Sequence, residues 1–71
     1  MIDAKTLERL REDYPAGSKI RLLEMLDPQA PPVGTEGEVY GTDDTGSLLV
    51  RWSNGSSLNV LFDIDRVERV F

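Results

Sequence analysis

The sequence predicts a mainly β fold, a small and strongly bent barrel of five strands preceded by one short α-helix. Three observations predict this fold class. Short apolar segments follow one another from residue 19 onward, turn residues separate them, and one long proline-containing loop interrupts them early. With 71 residues, the chain corresponds to one domain near the lower size limit for independent folding.

The leading segment predicts an amphipathic helix. Asp3 is a favourable N-cap residue, and Pro15 ends the helix. The apolar positions recur at spacings of three and four, at Leu7, Leu10 and Tyr14. A helix of about ten residues is marginal on its own. We therefore expect it to pack on the domain, with folding onto a partner as the alternative.

The remainder of the chain predicts the barrel. In chain order, its strands are KIRLLEM, GEVYG, SLLVRW, SLNVLF and RVERVF. DPQAPPVGTE, between the first two strands, is a loop with three prolines, TDDTG is a turn, and DID is a single helical turn. The predicted division is therefore an N-terminal helix at residues 1–14 and a barrel domain at residues 15–71.

The segment LLVRWSNGSSLNVLF predicts a hairpin with a defined register. Alternation gives each strand one apolar face, with Leu48, Val50 and Trp52 on the first and Leu58, Val60 and Phe62 on the second. A two-residue loop at Asn54 and Gly55 would turn these faces to opposite sides of the sheet, whereas a three-residue loop at 53–55 turns both to one side. We therefore expect a type I turn with Gly55 left-handed in a bulge. Trp52 then faces the core, because it alternates with Leu48 and Val50 along the strand. Contact with a ligand is the alternative.

The sequence also resembles a small bacterial and phage family of uncharacterised function. The resemblance covers about residues 14 to 70. It rests on Tyr-Pro-x-Gly, then Asp-Pro-x-Ala-Pro-Pro-x-Gly-Thr-x-Gly, and then Trp-x-Asn-Gly. It implies an SH3-like barrel and no established activity. Two features depart from the family pattern, since Ser53 stands where Asp is common and the helix lies outside the domain.

The residue types exclude several chemistries. The sequence has no cysteine and no histidine, which excludes disulfides, zinc sites with such ligands, and Cys-His or Ser-His catalysis. Asp43-Asp44 and Asp63-x-Asp65 are carboxylate pairs by sequence. A domain this small, however, has little interior in which a carboxyl pKa could be raised for acid catalysis. We expect a protein that is not an enzyme and that has no cofactor or metal.

Nothing in the sequence indicates export or membrane insertion. No apolar stretch has the length of a signal peptide core or a membrane span. The absence of cysteine fits a reducing compartment. We therefore expect a cytoplasmic protein. Because the sequence opens on Met and ends on a strand-like segment, we expect a complete small protein, with an excised domain as the alternative.

The charge is uneven. The formal net charge is −5, and residues 22–65 carry eight acids against Arg51 as the single base, a formal charge of −7. Such a body repels phosphate backbones, so nucleic acid is an unlikely partner. A solvated acidic surface is one interpretation. Another is an acidic face that includes Glu36, Glu38, Asp43 and Asp44.

These observations lead to three functional hypotheses. The first is a non-enzymatic protein-binding module, an accessory protein of a phage or mobile element. Its groove would contain Asp27, Tyr40 and Trp52, with Pro31 and Pro32 at the edge, where prolines lower the cost of ordering the loop. The alternative for that loop is that it closes one end of the barrel.

The second hypothesis is an acidic inhibitor that mimics nucleic acid and blocks a host defence or nucleic-acid enzyme. The third is a small barrel that binds RNA or DNA. Its bases would come together if the first and last strands pair, and they are Lys19, Arg21, Arg66 and Arg69. The oligomeric state stays open.

Overall fold

The computed structural model describes residues 2–70. Its elements are α1 (Ala4–Asp13), β1 (Lys19–Glu24), β2 (Glu36–Thr42), β3 (Leu48–Trp52) and β4 (Arg66–Val70). Met1 and Phe71, which the predicted helix segment and last strand included, lie outside the described residues. Within residues 2–70, no helix combines the length and apolar character that membrane crossing requires.

The helix begins and ends where the sequence predicts. The backbone N–H of Thr6 donates to the Asp3 carboxylate at 2.8 Å, which confirms Asp3 as the N-cap. The helix ends before Pro15, which disfavours helical backbone in the residue before it. No residue of α1 is fully buried, but Leu10 and Tyr14 pack against the core. The helix therefore packs on its own domain.

The strands form one antiparallel sheet in the order β3-β2-β1-β4. In the centre, Ile20 of β1 lies opposite Gly37 of β2 on one side and opposite Arg69 of β4 on the other. Val39 of β2 lies opposite Val50 of β3. β3 and β4 are thus the two edges of an open sheet.

The predicted five-stranded, SH3-like barrel is wrong. SLNVLF is not a strand, and it forms only an isolated bridge in which Val60 pairs with Leu48. Local partners engage the backbone on both sides of that bridge. The Trp52 indole N–H donates to the Leu58 carbonyl at 2.8 Å, and the Leu61 N–H donates to the Asp65 carboxylate at 2.9 Å. Pairing of this segment with β3 is limited to the one bridge, and the described strands form an open sheet of four.

The turn at residues 53–55 has the predicted form. Gly55 has a φ of +89°, and its N–H donates to the Trp52 carbonyl at 3.0 Å. Leu48 pairs with Val60 and both are buried, so these two residues face one side as predicted. Phe62 is the exception, because the chain has already turned away and leaves its side chain 43% exposed.

The core lies on one face of the sheet. It consists of the buried side chains Ile20, Leu22, Val39, Leu48, Val50, Trp52 and Val60. The core position of Trp52 is confirmed, since 4% of the residue is exposed. The ring packs across Gly37, where a β-carbon would lie 2.9 Å from Trp52 Cε3 and 2.8 Å from Val50 Cγ1. Only glycine fits there without a shift of the core.

Candidate functional site

Tyr40 and Trp52, which the sequence places in one groove, lie on opposite faces of the sheet. Tyr40 is 45% exposed, and the Arg51 guanidinium carbon lies 4.8 Å from the centre of its ring. Both residues project from the outer face, away from the core. Trp52 faces the core, where its indole N–H is bonded to Leu58. The two aromatic side chains therefore do not share a surface.

The proline-containing loop divides between interior and surface. Pro31 is buried, whereas Asp27 and Pro32 are exposed. The Asp27 carboxylate accepts the backbone N–H of Gln29 at 2.7 Å, and the Pro32 carbonyl accepts the Thr35 hydroxyl at 2.6 Å. The loop is therefore held by its own hydrogen bonds. Of the predicted groove residues, Asp27 is the one that lines a surface hollow.

The outer face of the sheet carries paired charges. Arg21 bridges two acids, at 3.3 Å to Glu36 and 2.9 Å to Glu68, and Lys19 lies 3.1 Å from Glu38. The hydrogen bonds of Arg21 raise the pKa of its guanidinium. The bond with Glu36 has the larger effect, and the bond with Glu68 comes next. Strands β1 and β4 do pair, as the nucleic-acid hypothesis requires. Lys19 and Arg21, however, are already ion-paired with acids.

Asp43 and Asp44 have different roles. The Asp43 carboxylate accepts the Thr45 hydroxyl at 2.6 Å and the Ser47 backbone N–H at 2.9 Å. These bonds hold the pKa of Asp43 below its ordinary value of 3.8, and the bond from the Thr45 hydroxyl has the largest effect. Asp44 projects into solvent and forms an ion pair with Arg11 at 3.1 Å, which ties the turn to α1. The four predicted acids therefore do not form one unopposed acidic face.

A turn at residues 61–65 lies between two surface hollows. The Leu61 carbonyl accepts the N–H groups of Ile64 at 3.2 Å and of Asp65 at 3.0 Å, and the Asp65 carboxylate accepts the Leu61 N–H. Asp63 takes a positive φ of 62°, which Asp tolerates better than most residues. The chain does turn at DID, but the turn is not the predicted helical one, because Asp63 is left-handed. It leaves Ile64 67% exposed.

Two hollows flank this turn and share its side chains Leu61, Ile64 and Asp65. The helix-side hollow, about 480 Å³, lies between the turn and α1, where Leu10 and Tyr14 line it. The loop-side hollow, about 470 Å³, is also lined by Leu26 and Leu58. We call the two hollows together the apolar groove. Leu26, at 90% exposed, is the most exposed large apolar residue of the described chain.

The apolar groove was not predicted from the sequence. SLNVLF was expected to be a barrel strand with Phe62 facing the core, which left no turn or hollow at this place. A signal was present in LFDID, since Leu61 and Ile64 are three residues apart and Asp65 can accept the Leu61 N–H. That spacing is typical of a turn and not of a strand. Nowhere in residues 2–70 do three or more acidic side chains lie in an arrangement that could hold a metal ion.

Comparison with known families shows where this chain belongs. Residues 3–70 match a family model described as Domain of unknown function (DUF4314). The match spans α1 as well as the four strands. No curated protein and no solved structure matches the chain.

Proposed function

We propose that this chain, which belongs to the family described as Domain of unknown function (DUF4314), is a non-enzymatic module that binds another protein through the apolar groove. The observation that carries the proposal is the exposure of large apolar side chains in and between two adjacent hollows. They are Leu26, Leu61, Phe62 and Ile64. Contiguous exposed apolar surface of this kind marks interaction sites in small proteins.

The architecture around the groove supports a preformed binding surface. The 61–65 turn is fixed by three hydrogen bonds to or from Leu61, and the facing loop is fixed at Asp27. Apolar side chains held this way lose little conformational entropy when a partner covers them. Hollows of this size also lie in the range of sites that accept side chains or small ligands.

Protein binding through the apolar groove has more support than the two other hypotheses, the acidic inhibitor and the RNA- or DNA-binding barrel. A mimic of nucleic acid needs acids that no base opposes, whereas Glu36, Glu38 and Asp44 each have a base within 3.3 Å. Direct binding of RNA or DNA needs free bases, and Lys19 and Arg21 are ion-paired. The finer expectation of an accessory role in a phage or mobile element rests on the family resemblance alone and stays a prediction.

A selection from a random peptide library tests the proposal. The wild-type chain is compared with the double variant Leu26→Ser/Ile64→Ser, in which both changed side chains are largely exposed. The matched control is Val33→Ser, since Val33 is 72% exposed and lies outside both hollows. We expect peptides that are enriched on wild type and on Val33→Ser but not on the double variant.

Two results would contradict this role for the groove. One is the absence of enriched peptides on wild type, and the other is equal enrichment on all three proteins. Tyr40→Ala serves as a further arm, because the surface predicted from sequence requires weaker binding in that variant. The groove requires no change there, since Tyr40 lies on the other face.

A further inference from the structure

The apolar groove is bordered by acids. Glu24, Asp63 and Asp65 line the helix-side hollow, and Asp27 and Asp65 line the loop-side hollow. Arg66 is the one base among the lining residues, so four carboxylates face one guanidinium, a formal charge of −3.

Within residues 2–70, three of these acids form no ion pair, although Arg66 lies opposite Glu24 in the sheet. The three are Glu24, Asp27 and Asp63. The outer face of the sheet differs, because Lys19 and Arg21 pair there with three acids. Charge is therefore compensated on the outer face and left uncompensated around the exposed apolar side chains.

From this distribution we infer the chemistry of the occupant, an inference that rests on the proposed function. The groove binds a cationic amphipathic segment of another protein. Apolar side chains of that segment fill the two hollows on either side of Leu61 and Ile64, and its Lys or Arg side chains meet Glu24, Asp27 and Asp63. An amphipathic helix presents such a set at positions i, i+3, i+4 and i+7.

The same charges disfavour the other occupants. Nucleic acid and anionic membrane surfaces carry the sign of the groove and are repelled. A second copy placed about a two-fold axis would bring each acidic border against its like, which opposes association. The helix α1 of a second copy is no better suited, because its three bases are balanced by the acids Glu8, Glu12 and Asp13.

Two labelled peptides of designed sequence provide the probe, with the full chain as receptor and fluorescence anisotropy as the readout. Both peptides carry leucine at helical spacing, one with lysine and the other with glutamate at every remaining position. We expect the Leu-Lys peptide to bind and the Leu-Glu peptide to bind at least tenfold more weakly. Binding of the Leu-Lys peptide should weaken between about 0.1 M and about 1 M salt, as the screening length falls from about 10 Å to about 3 Å.

Variants of the full chain show which acids strengthen binding of the Leu-Lys peptide. The triple variant Glu24→Gln/Asp27→Asn/Asp63→Asn removes the bordering charges. Asn at 27 keeps an acceptor for the Gln29 N–H, and Asn at 63 tolerates the positive φ. We expect it to bind the Leu-Lys peptide about tenfold more weakly, as three partly exposed ion pairs imply.

The matched control removes the same number of charges from α1. It is Glu8→Gln/Glu12→Gln/Asp13→Asn, at positions outside both hollows, and it should retain wild-type affinity. An equal loss in both triple variants would mean a general charge effect and would overturn the inference.

The remaining outcomes separate this inference from the proposed function. Equal affinity for both peptides, abolished in Leu26→Ser/Ile64→Ser, would refute a cationic occupant and leave the groove as a protein-binding site. Failure of both peptides to bind would refute the inference, and the library selection would then decide the proposed function independently. Concentration-dependent self-association through the groove would refute it in favour of a second copy.

Discussion

Gly37 gives the sharpest test of the packing that supports the fold. In β2 it lies opposite Trp52 of β3, in the middle of the core face. A β-carbon at this position would lie 2.8 Å from Val50 Cγ1, 2.9 Å from Trp52 Cε3 and 3.0 Å from the Arg51 carbonyl oxygen. Val50 and Trp52 are buried and cannot swing into solvent, and the third neighbour is backbone. Gly37→Ala must therefore displace the core.

The expected loss of stability follows from two opposing effects. Overpacking of a buried site costs about 1–3 kcal/mol, and replacement of glycine by alanine returns about 0.4–1 kcal/mol by restricting the unfolded chain. The net loss of unfolding free energy should be about 1–2 kcal/mol. A chain of this length has a total stability of only about 4–10 kcal/mol. The melting temperature should therefore fall by about 5–15 °C.

Gly41→Ala is the matched control in the same strand. A β-carbon there meets only Leu49 Cδ1 at 3.5 Å, an ordinary contact, and Gly41 is not among the glycines with positive φ. We expect Gly41→Ala to be as stable as wild type or slightly more stable in urea titration followed by far-UV circular dichroism. If Gly37→Ala matched Gly41→Ala, the close packing of β2 under Trp52 would be refuted.

Three further variants test local features. Asp43→Ala should lower the melting temperature more than Asp44→Ala, and this difference should shrink in acid. The depressed pKa of Asp43 means that its contribution is present above pH 3.8 and is lost as the pH falls through the lower folded value. Trp52→Phe should lower the free energy of unfolding in urea titration by about 2 kcal/mol, because it leaves the Leu58 carbonyl without its donor and removes buried ring area. A loss below about 0.5 kcal/mol would contradict this. Asp63→Ala should be about 1 kcal/mol less stable than Asp63→Gly, since alanine is strained at positive φ; equal stability would contradict the turn geometry.

Features determined by short-range interactions could be predicted from the sequence. The Asp3 cap contacts Thr6, three residues away, and Pro15 acts on the residue before it. The left-handed conformation of Gly55 followed from the requirement that Leu48 and Val60 face one side, a requirement that the structure meets. In each case the deciding interaction lies within one turn or one hairpin.

The fifth strand could not be excluded in this way. Its apolar alternation is the same whether residues 58–62 pair with β3 or not. The Leu58 carbonyl, which a ladder with β3 would use, instead accepts the Trp52 indole N–H. Propensity and alternation do not report such side-chain bonds.

The candidate site could be predicted from the sequence only in part, because long-range contacts determine it as well. Asp27 lines the loop-side hollow, which is not the groove predicted for it, because Tyr40 and Trp52 are separated by the sheet itself. The pairing of Glu36 with Arg21 joins residues 15 apart in sequence, and that of Glu68 with Arg21 joins residues 47 apart. Such long-range pairs decide which acids remain uncompensated, and a single sequence does not show them.

A titration of the ¹⁵N-labelled chain with the Leu-Lys peptide, followed by NMR, tests the central claim most directly. The largest amide shifts should occur at residues 25–27 and 58–65 and at Leu10 and Tyr14, which line the two hollows of the apolar groove. Small shifts are expected at Tyr40 and Arg51 on the outer face. Shifts centred on the outer face, or spread evenly over the acidic residues of the chain, would contradict the groove as the binding surface.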